Sequence, residues 1–288
     1  MNVLNVISEI EKHDPEIYGR LDTRRNAMKD FGRMAGKITL ASLPLALGSM
    51  FKKAYGQTNS TVTEILNFAL TLEYLEAEFY NTALDTASPV SGMFPNEAAK
   101  GAFQTIAAHE NAHVALLKGA LAGDAVAKPT FDFTAGNGSG TGPLSGNNSP
   151  FKNYAVLLAV AQTFEDTGVR AYKGQAEGLI SNNDVLTIAL QIHSVEGRHA
   201  AHIRQMRRAL DAAIPAGVTV KPWITLKQSG IADPFAQYVQ ASYDGEELTT
   251  QAGVDITGFV SANAASEAFD EPLTMAQVLA IVDPFIAP

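Results

Sequence analysis

Two copies of a Glu-x-x-His pair constrain this chain more than any other feature. The upstream copy is Glu110 and His113, within Ala108-His109-Glu110-Asn111-Ala112-His113. The downstream copy is Glu196 and His199, within His193-Ser194-Val195-Glu196-Gly197-Arg198-His199. Three residues apart on an α-helix, the members of a pair project from one face about 60° apart, close enough to hold one metal ion together.

Each pair follows a helical segment whose apolar stripe is interrupted by one glutamate. Thr61 and Glu64 form a capping-box pattern before a run to about residue 84. Its stripe reads Leu66, Ala69/Leu70, Glu73, Ala77, Tyr80, Leu84, so Glu73 takes a core position, with Glu76 beside it as a boundary charge or a supporting group. The second segment starts near Pro95-Asn96 and runs to about 121 through Phe103, Ile106, Glu110, His113 and Leu117. The third opens after Ser149-Pro150 and continues to about 179, with Leu158, Glu165, Tyr172 and Ala176 in its stripe. The fourth runs from 183 or 184 to about 213, with Ala189, Glu196, His199, Ile203 and Leu210 near one face. Tyr80 follows Glu73 by seven residues, as Tyr172 follows Glu165, which is nearly two turns and puts each Tyr on the face of its Glu. The two halves therefore repeat one another as helical hairpins.

The stretch 123–150 turns to Gly, Asn, Ser and Thr, as in Gly136-Asn137-Gly138-Ser139-Gly140. So long a loop inside a compact domain fits the crossover of a bundle, which returns the chain along the bundle's length. Phe131 and Phe133 are its expected anchors. The fold expected is all-α: a four-helix bundle over 57–213, two hairpins joined by a long crossover. An irregular C-terminal extension, 214–288, carries a short helix over 274–282. Pro215, Pro222-Trp223 and Gly230 break helix there, with Trp223 as an anchor, and the extension is expected to wrap the bundle or to pair subunits.

Four carboxylates in one bundle core are very costly to bury unless cations neutralise them. Two divalent ions balance four Glu, with two neutral imidazoles completing the ligand set. The chain has no cysteine, so thiolate sites and Cys nucleophiles are excluded, and a carboxylate–imidazole set favours iron or manganese over structural zinc. One Glu from each of two helices, with Glu-x-x-His from each of two others, is the ligand pattern of di-iron and di-manganese bundles. Residues 57–288 hold 12 Lys and Arg against 24 Asp and Glu, which is no footprint for nucleic acid or an anionic membrane surface.

The N-terminal 56 residues read as an export signal. Thr23-Arg24-Arg25-Asn26-Ala27-Met28-Lys29 resembles a twin-arginine consensus, with Ala27 where that consensus prefers Phe. An apolar run over 38–51, too short to span a bilayer, precedes Lys52-Lys53 and the small-x-small stretch Ala54-Tyr55-Gly56. Lys37 and five acids within 1–22 favour the other reading, an amphipathic helix packed on the body of a cytoplasmic protein. The first reading implies export to the periplasm.

Residues 57–213, taken on these motifs, resemble the ferritin-like superfamily of di-metal carboxylate proteins, which includes bacterioferritin, rubrerythrin and manganese catalase. Ile65-Leu66-Asn67-Phe68-Ala69-Leu70 through Glu73-Tyr74-Leu75-Glu76-Ala77-Glu78-Phe79-Tyr80 is similar to the ferritin-like domain of desiccation-related proteins, as is the tail from Ala268-Phe269-Asp270-Glu271-Pro272-Leu273 to Pro284-Phe285-Ile286. The resemblance implies Glu73, Glu110, His113, Glu165, Glu196 and His199 as ligands of two iron or manganese ions, with Glu110 and Glu165 bridging in one arrangement. It implies Tyr80 and Tyr172 as hydrogen-bond partners of ligand carboxylates or as redox groups. His109, His193 and His202 are expected as supporting or surface residues. The functions implied are an oxidoreductase of ferroxidase, peroxidase or catalase type acting on oxygen or peroxide in stress defence, or a non-catalytic metal-binding protein. A homodimer or other homo-oligomer is expected, and a storage cage is disfavoured by the tail of 75 residues.

Overall fold

The computed structural model describes residues 60–210, 214–232 and 234–288. The expected export signal over 1–56 lies outside them, and the fourth helix, expected to run to about 213, ends at Arg208, with Ala209 and Leu210 in a turn.

Four long helices form the body: α1 (Ser60–Leu84), α2 (Glu97–Leu121), α3 (Tyr154–Gln175) and α4 (Asn183–Arg208). Asparagine opens three of them. Asn96 accepts from Ala99 N at 2.9 Å, Asn153 from Ala155 N at 3.0 Å, and Asn182 from Val185 N at 3.2 Å. Each satisfies an amide that the helix itself leaves unbonded, a cap contributing about 1 kcal/mol. These caps shift the expected starts. The second helix begins at 97 and the third at 154, because Asn153, rather than the Ser149-Pro150 corner, supplies the capping oxygen. Thr61 is already helical, so the capping box read there does not start the helix. The third helix stops at Gln175 and a 3-10 turn, Glu177–Leu179, finishes the stretch.

The helices pack as α1 with α2 and α3 with α4. Tyr80 on α1 reaches Glu165 on α3, and Tyr172 on α3 reaches Glu73 on α1, so α1 and α3 run antiparallel. The crossover must then cover the bundle's length, about 37 Å for the 25 residues of α1. It does so along α1. Asn67 bonds Asp124 O and Val126 N, Tyr74 reaches Val126 O at 3.5 Å, Lys128 meets Glu78 at 2.7 Å, and Val90 N finally bonds Phe151 O. The segment is more ordered than its composition suggests. The Asp132 carboxylate gathers Thr134 N, Gly138 N and Gly140 N, each at 3.0 Å, and residues 130–132 pair with 285–287 near the C-terminus. Phe131 and Phe133 pack on the core as expected, Phe133 with its ring centroid 5.7 Å from Phe79 and 5.3 Å from Phe151.

Residues 214–288 hold three short helices, α5 (Ala236–Val239), α6 (Ala262–Ser266) and α7 (Met275–Val282), and a hairpin of β1 (Thr250–Gln251) with β2 (Val254–Asp255). Thr274 caps α7 in a capping box with Gln277. The segment docks on α3 and α4 through three buried arginines. Arg170 donates to Glu271 O, Ser242 O and Asp244 O and pairs with Glu246 at 2.7 Å. Arg204 donates twice to Asp166, which also accepts from Tyr243. Arg207 donates to Gln162 Oε1, Ser229 O and Gly230 O. Leu273 crosses α3 so closely that a Cβ on Gly174 would meet its carbonyl oxygen at 1.9 Å. Trp223, expected as an anchor, is 49% exposed; its carbonyl, not its ring, meets Arg204.

The apolar core is split in two. On α2, Phe103, Ile106 and Ala107 join one cluster, while Leu117, Ala120 and Leu121 join the other. On α4, Val185 to Ile192 join the second and Ile203 the first. Between the two clusters, on all four helices, lies a layer of carboxylates and imidazoles.

Candidate metal centre

Glu73, Glu110, Glu165 and Glu196 are each fully buried, and His113 and His199 are 8% and 5% exposed. All six come together in the layer between the two apolar clusters. His113 Nδ1 lies 3.1 Å from both Glu73 Oε2 and Glu110 Oε2, and 3.4 Å from Glu196 Oε1. His199 Nδ1 lies 2.8 Å from Glu110 Oε1 and 3.3 Å from Glu165 Oε2. The donors form two overlapping groups, Glu73, Glu110, His113 and Glu196, and Glu110, Glu165, Glu196 and His199, whose chosen ligand atoms lie within 4.8 Å of one another. Glu110 and Glu196 belong to both groups. Of the two carboxylates that the resemblance gave as bridging in one arrangement, Glu110 belongs to both groups and Glu165 to the His199 group.

A pseudo-twofold arrangement holds the outer carboxylates. Tyr80 Oη donates to Glu165 Oε1 and Tyr172 Oη to Glu73 Oε1, each at 2.5 Å. Each tyrosine thus reaches across to the glutamate of the other hairpin, not to the one on its own helix. Burial, and then the charge of the glutamate it serves, hold both phenols well above the usual range, so both are protonated donors at neutral pH.

Several buried polar atoms have no hydrogen-bond partner among the described residues: Glu110 Oε1, Glu165 Oε2, both oxygens of Glu196, and His199 Nδ1. His199 Nδ1 and Glu110 Oε1 are 2.8 Å apart, yet the contact lacks hydrogen-bond direction. A folded protein seldom leaves so many polar atoms unpaired in one place, and lone pairs converging on one space suit a cation. Burial pushes the Glu110 carboxyl up to about 7, with the Glu73 charge adding to this and His113 opposing it. Glu196 is also raised, by burial and by Glu110. Burial opposes charge on His113 and His199, but Glu73 and Glu165 respectively outweigh it and lift both to about 10.

Three further side chains bear on the layer. His109 Nδ1 lies 2.9 Å from His199 Nε2, and the two rings stack at 14°. Burial and the neighbouring His199 lower the pKa of His109, so it accepts from His199 Nε2–H and leaves His199 Nδ1 to face the carboxylates. Glu76, read as a boundary charge or a supporting group, is no solvated boundary residue: it is 4% exposed, and burial, then the Glu165, Glu110 and Glu73 charges, raise its carboxyl well above the usual range. Its room comes from Gly168, where a Cβ would lie 2.9 Å from Glu196 Oε2 and 3.4 Å from Glu76 Oε1. Glycine at the α3 position that matches Glu76 on α1 was a sequence signal for this asymmetry. His193 instead bonds Val169 O at 3.0 Å and His202 is exposed, so neither joins the layer.

Comparison with curated proteins and with solved structures gave no match. The family profile described as a ferritin-like domain matches residues 61–209, more than half of the chain and nearly the whole of the bundle that builds this layer. With the packed helix pairs and the buried Glu and His layer on the same residues, the chain belongs to the ferritin-like domain family.

Proposed function

We propose that this chain is a di-metal carboxylate protein that binds two iron or manganese ions and acts on oxygen or peroxide in stress defence. The observation that carries the reading is the set of orphaned atoms in two overlapping groups. Glu73, Glu110, His113 and Glu196 would hold one ion, and Glu110, Glu165, Glu196 and His199 the other, with Glu110 and Glu196 common to both. Such a pair of ions, when bound, supplies one-electron redox steps at each metal. The protein's own part is positional and electrostatic. Tyr80 and Tyr172 fix the orientation of Glu165 and Glu73, and His109 fixes the tautomer of His199. Glu76, whose carboxyl burial raises beside the four glutamates, would deliver a proton into the layer. Apolar clusters on either side keep bulk water away.

The resemblance of the first helix and the tail to desiccation-related proteins supports the stress role. The twin-arginine pattern supports export. Exposed Phe259, at 83%, with Val254 and Val260, supports the tail as a self-association surface. No helix among the described residues is long and apolar enough to cross a membrane. A second reading, metal binding without turnover, rests on the same layer.

Elemental analysis of protein purified without added metal, then a peroxide-consumption assay on the same sample, separates these readings. Two ions per chain with rapid peroxide loss is the expected result. Two ions with no turnover selects the binding role, and no metal after reconstitution overturns both.

Protons and metal compete for the same atoms, which sets a pH dependence. Each ion must displace at least the proton of its imidazole, so apparent affinity rises about tenfold per pH unit per site below the value near 10. Chelator competition at pH 6 and pH 8 should differ about 100-fold per site. Stability moves the opposite way in metal-free protein. A histidine raised from 6.5 to about 10 contributes stability that is full below 6.5 and lost as pH rises to 10, and Glu110, raised from 4.5 to about 7, acts in the same direction over its own window. The gap in melting temperature between loaded and chelated protein should therefore widen from pH 6 to 8.5.

A further inference from the structure

Away from the metal layer, Arg207 on α4 is a buried cation, 3% exposed, with no carboxylate against it among the described residues. Its three hydrogen bonds go to neutral acceptors: Gln162 Oε1 at 2.6 Å, Ser229 O at 3.2 Å and Gly230 O at 2.7 Å. The carboxylate nearest in the network, Asp166, is taken by two bonds from Arg204, at 2.9 and 2.5 Å, and one from Tyr243. Arg170 likewise has Glu246 at 2.7 Å. Of the three arginines that dock the C-terminal segment, Arg207 is thus the one without its own counter-charge among the described residues. A guanidinium has five N–H donors, so two remain after these three bonds. Leaving a buried charge unpaired is costly, and proteins avoid it.

Arg207 also lines a cleft of about 440 Å³ between the outer face of α3, the crossover, the segment around α5 and the end of α7. The other walls are mostly apolar, chiefly Leu144, Val156, Val160, Phe235 and Phe285. Ala155 and Ala159 on α3 leave its floor open. At ~30 Å³ per water- or methylene-sized group, the space takes roughly fifteen such groups. An apolar trough of ligand-site size, with one cation in its wall that has no carboxylate against it among the described residues, matches a molecule with a chain and an acid head.

We infer that this cleft binds a monocarboxylate amphiphile, an alkanoic acid of about ten to twelve carbons, with its chain along α3 and its carboxylate on Arg207. The chain displaces water from apolar walls, and the head supplies the carboxylate that Arg207 does not find among the described residues.

Calorimetric titration of the full-length, metal-loaded protein with decanoate tests this, with decan-1-ol as the uncharged control. One decanoate per chain is expected, with decanol at least about tenfold weaker, since a hydrogen bond to a charged group is worth that much. Arg207→Gln should bring the acid down to the alcohol's affinity. Because Arg207 also holds the 229–230 backbone, Ala159→Phe provides an independent check: it fills the floor without touching that network and should weaken decanoate at least about tenfold at unchanged metal content. No saturable decanoate binding, equal affinity for acid and alcohol, or undiminished binding by Ala159→Phe would each overturn the inference.

Discussion

Glu110→Ala and Glu196→Ala are each expected to empty both metal sites, whereas Glu73→Ala and Glu165→Ala each empty one. The reason is membership: Glu110 and Glu196 belong to both donor groups, while Glu73 and Glu165 each border one histidine. Loss of a residue that only supports a ligand costs ~10–100-fold in affinity, and loss of a shared ligand should cost more at both ions together. Elemental analysis after reconstitution reads the difference directly as zero against one ion per chain. Two ions retained in Glu110→Ala would refute the assignment. Stability gives a second and oppositely signed readout. In chelator, removing one of several mutually repelling buried carboxylates should leave the melting temperature equal to or above that of the parent. With metal, the parent should gain about 2.7 kcal/mol per occupied site at a metal concentration 100 times its Kd, Glu73→Ala and Glu165→Ala should gain at their one remaining site, and Glu110→Ala and Glu196→Ala should gain nothing. A variant that had merely lost its fold would melt lower in both conditions.

The second large effect is expected at Arg170, where α3 meets the C-terminal segment. Arg170→Ala removes four contacts to the C-terminal segment at once and leaves Glu246 buried without its partner. Breaking one side of a buried ion pair typically costs about 3–5 kcal/mol. For a protein of this size that is a fall in melting temperature of about 10 °C, with proteolysis appearing between 240 and 275. The cost should shrink on acidification. Burial holds the Glu246 carboxyl up near 7 even with Arg170 beside it, so Glu246 contributes stability below about 4.5 that is lost as pH rises through 7. Without the guanidinium the carboxyl titrates still higher, and the variant should approach the parent near pH 5. Arg170→Met, which refills the volume without charge, would leave Glu246 in the same position and serves as the control for packing. If Arg170→Ala melts like the parent at pH 8, the C-terminal segment is not held by this ion pair.

The six candidate donors were legible in the sequence because their chemistry is unusual and their spacing is helical. A glutamate on an apolar stripe is expensive to bury, so its repetition with Glu-x-x-His leaves few alternatives. Helix existence was legible for the same reason, since α1 to α4 each carry a periodic stripe. Their ends were less so: Asn96, Asn153 and Asn182 cap three helices, and a side chain's choice to cap depends on local backbone that periodicity does not report.

Glu76 and Arg170 lay beyond that reach. Read along α1, Glu76 is one more charge near the edge of a stripe. It is buried because Gly168 on another helix opens space for it. Read along α3, Asp166 and Arg170 lie off the stripe of Leu158, Glu165, Tyr172 and Ala176, and the stripe gives them no partner. Yet every residue from Val160 to Tyr172 is buried, since the C-terminal segment covers this side of α3 and meets Arg170 with carbonyls and Glu246. The sequence by itself determined the helices, their duplication and the donor set, because these follow from local period and from the cost of burying charge. Only the tertiary structure decided which carboxylates belong to both donor groups, which tyrosine serves which glutamate, and that Asp166 and Arg170 on α3 are interior. Those depend on contacts between residues up to about 100 positions apart, such as Arg170 with Glu271, and no periodicity encodes such distances.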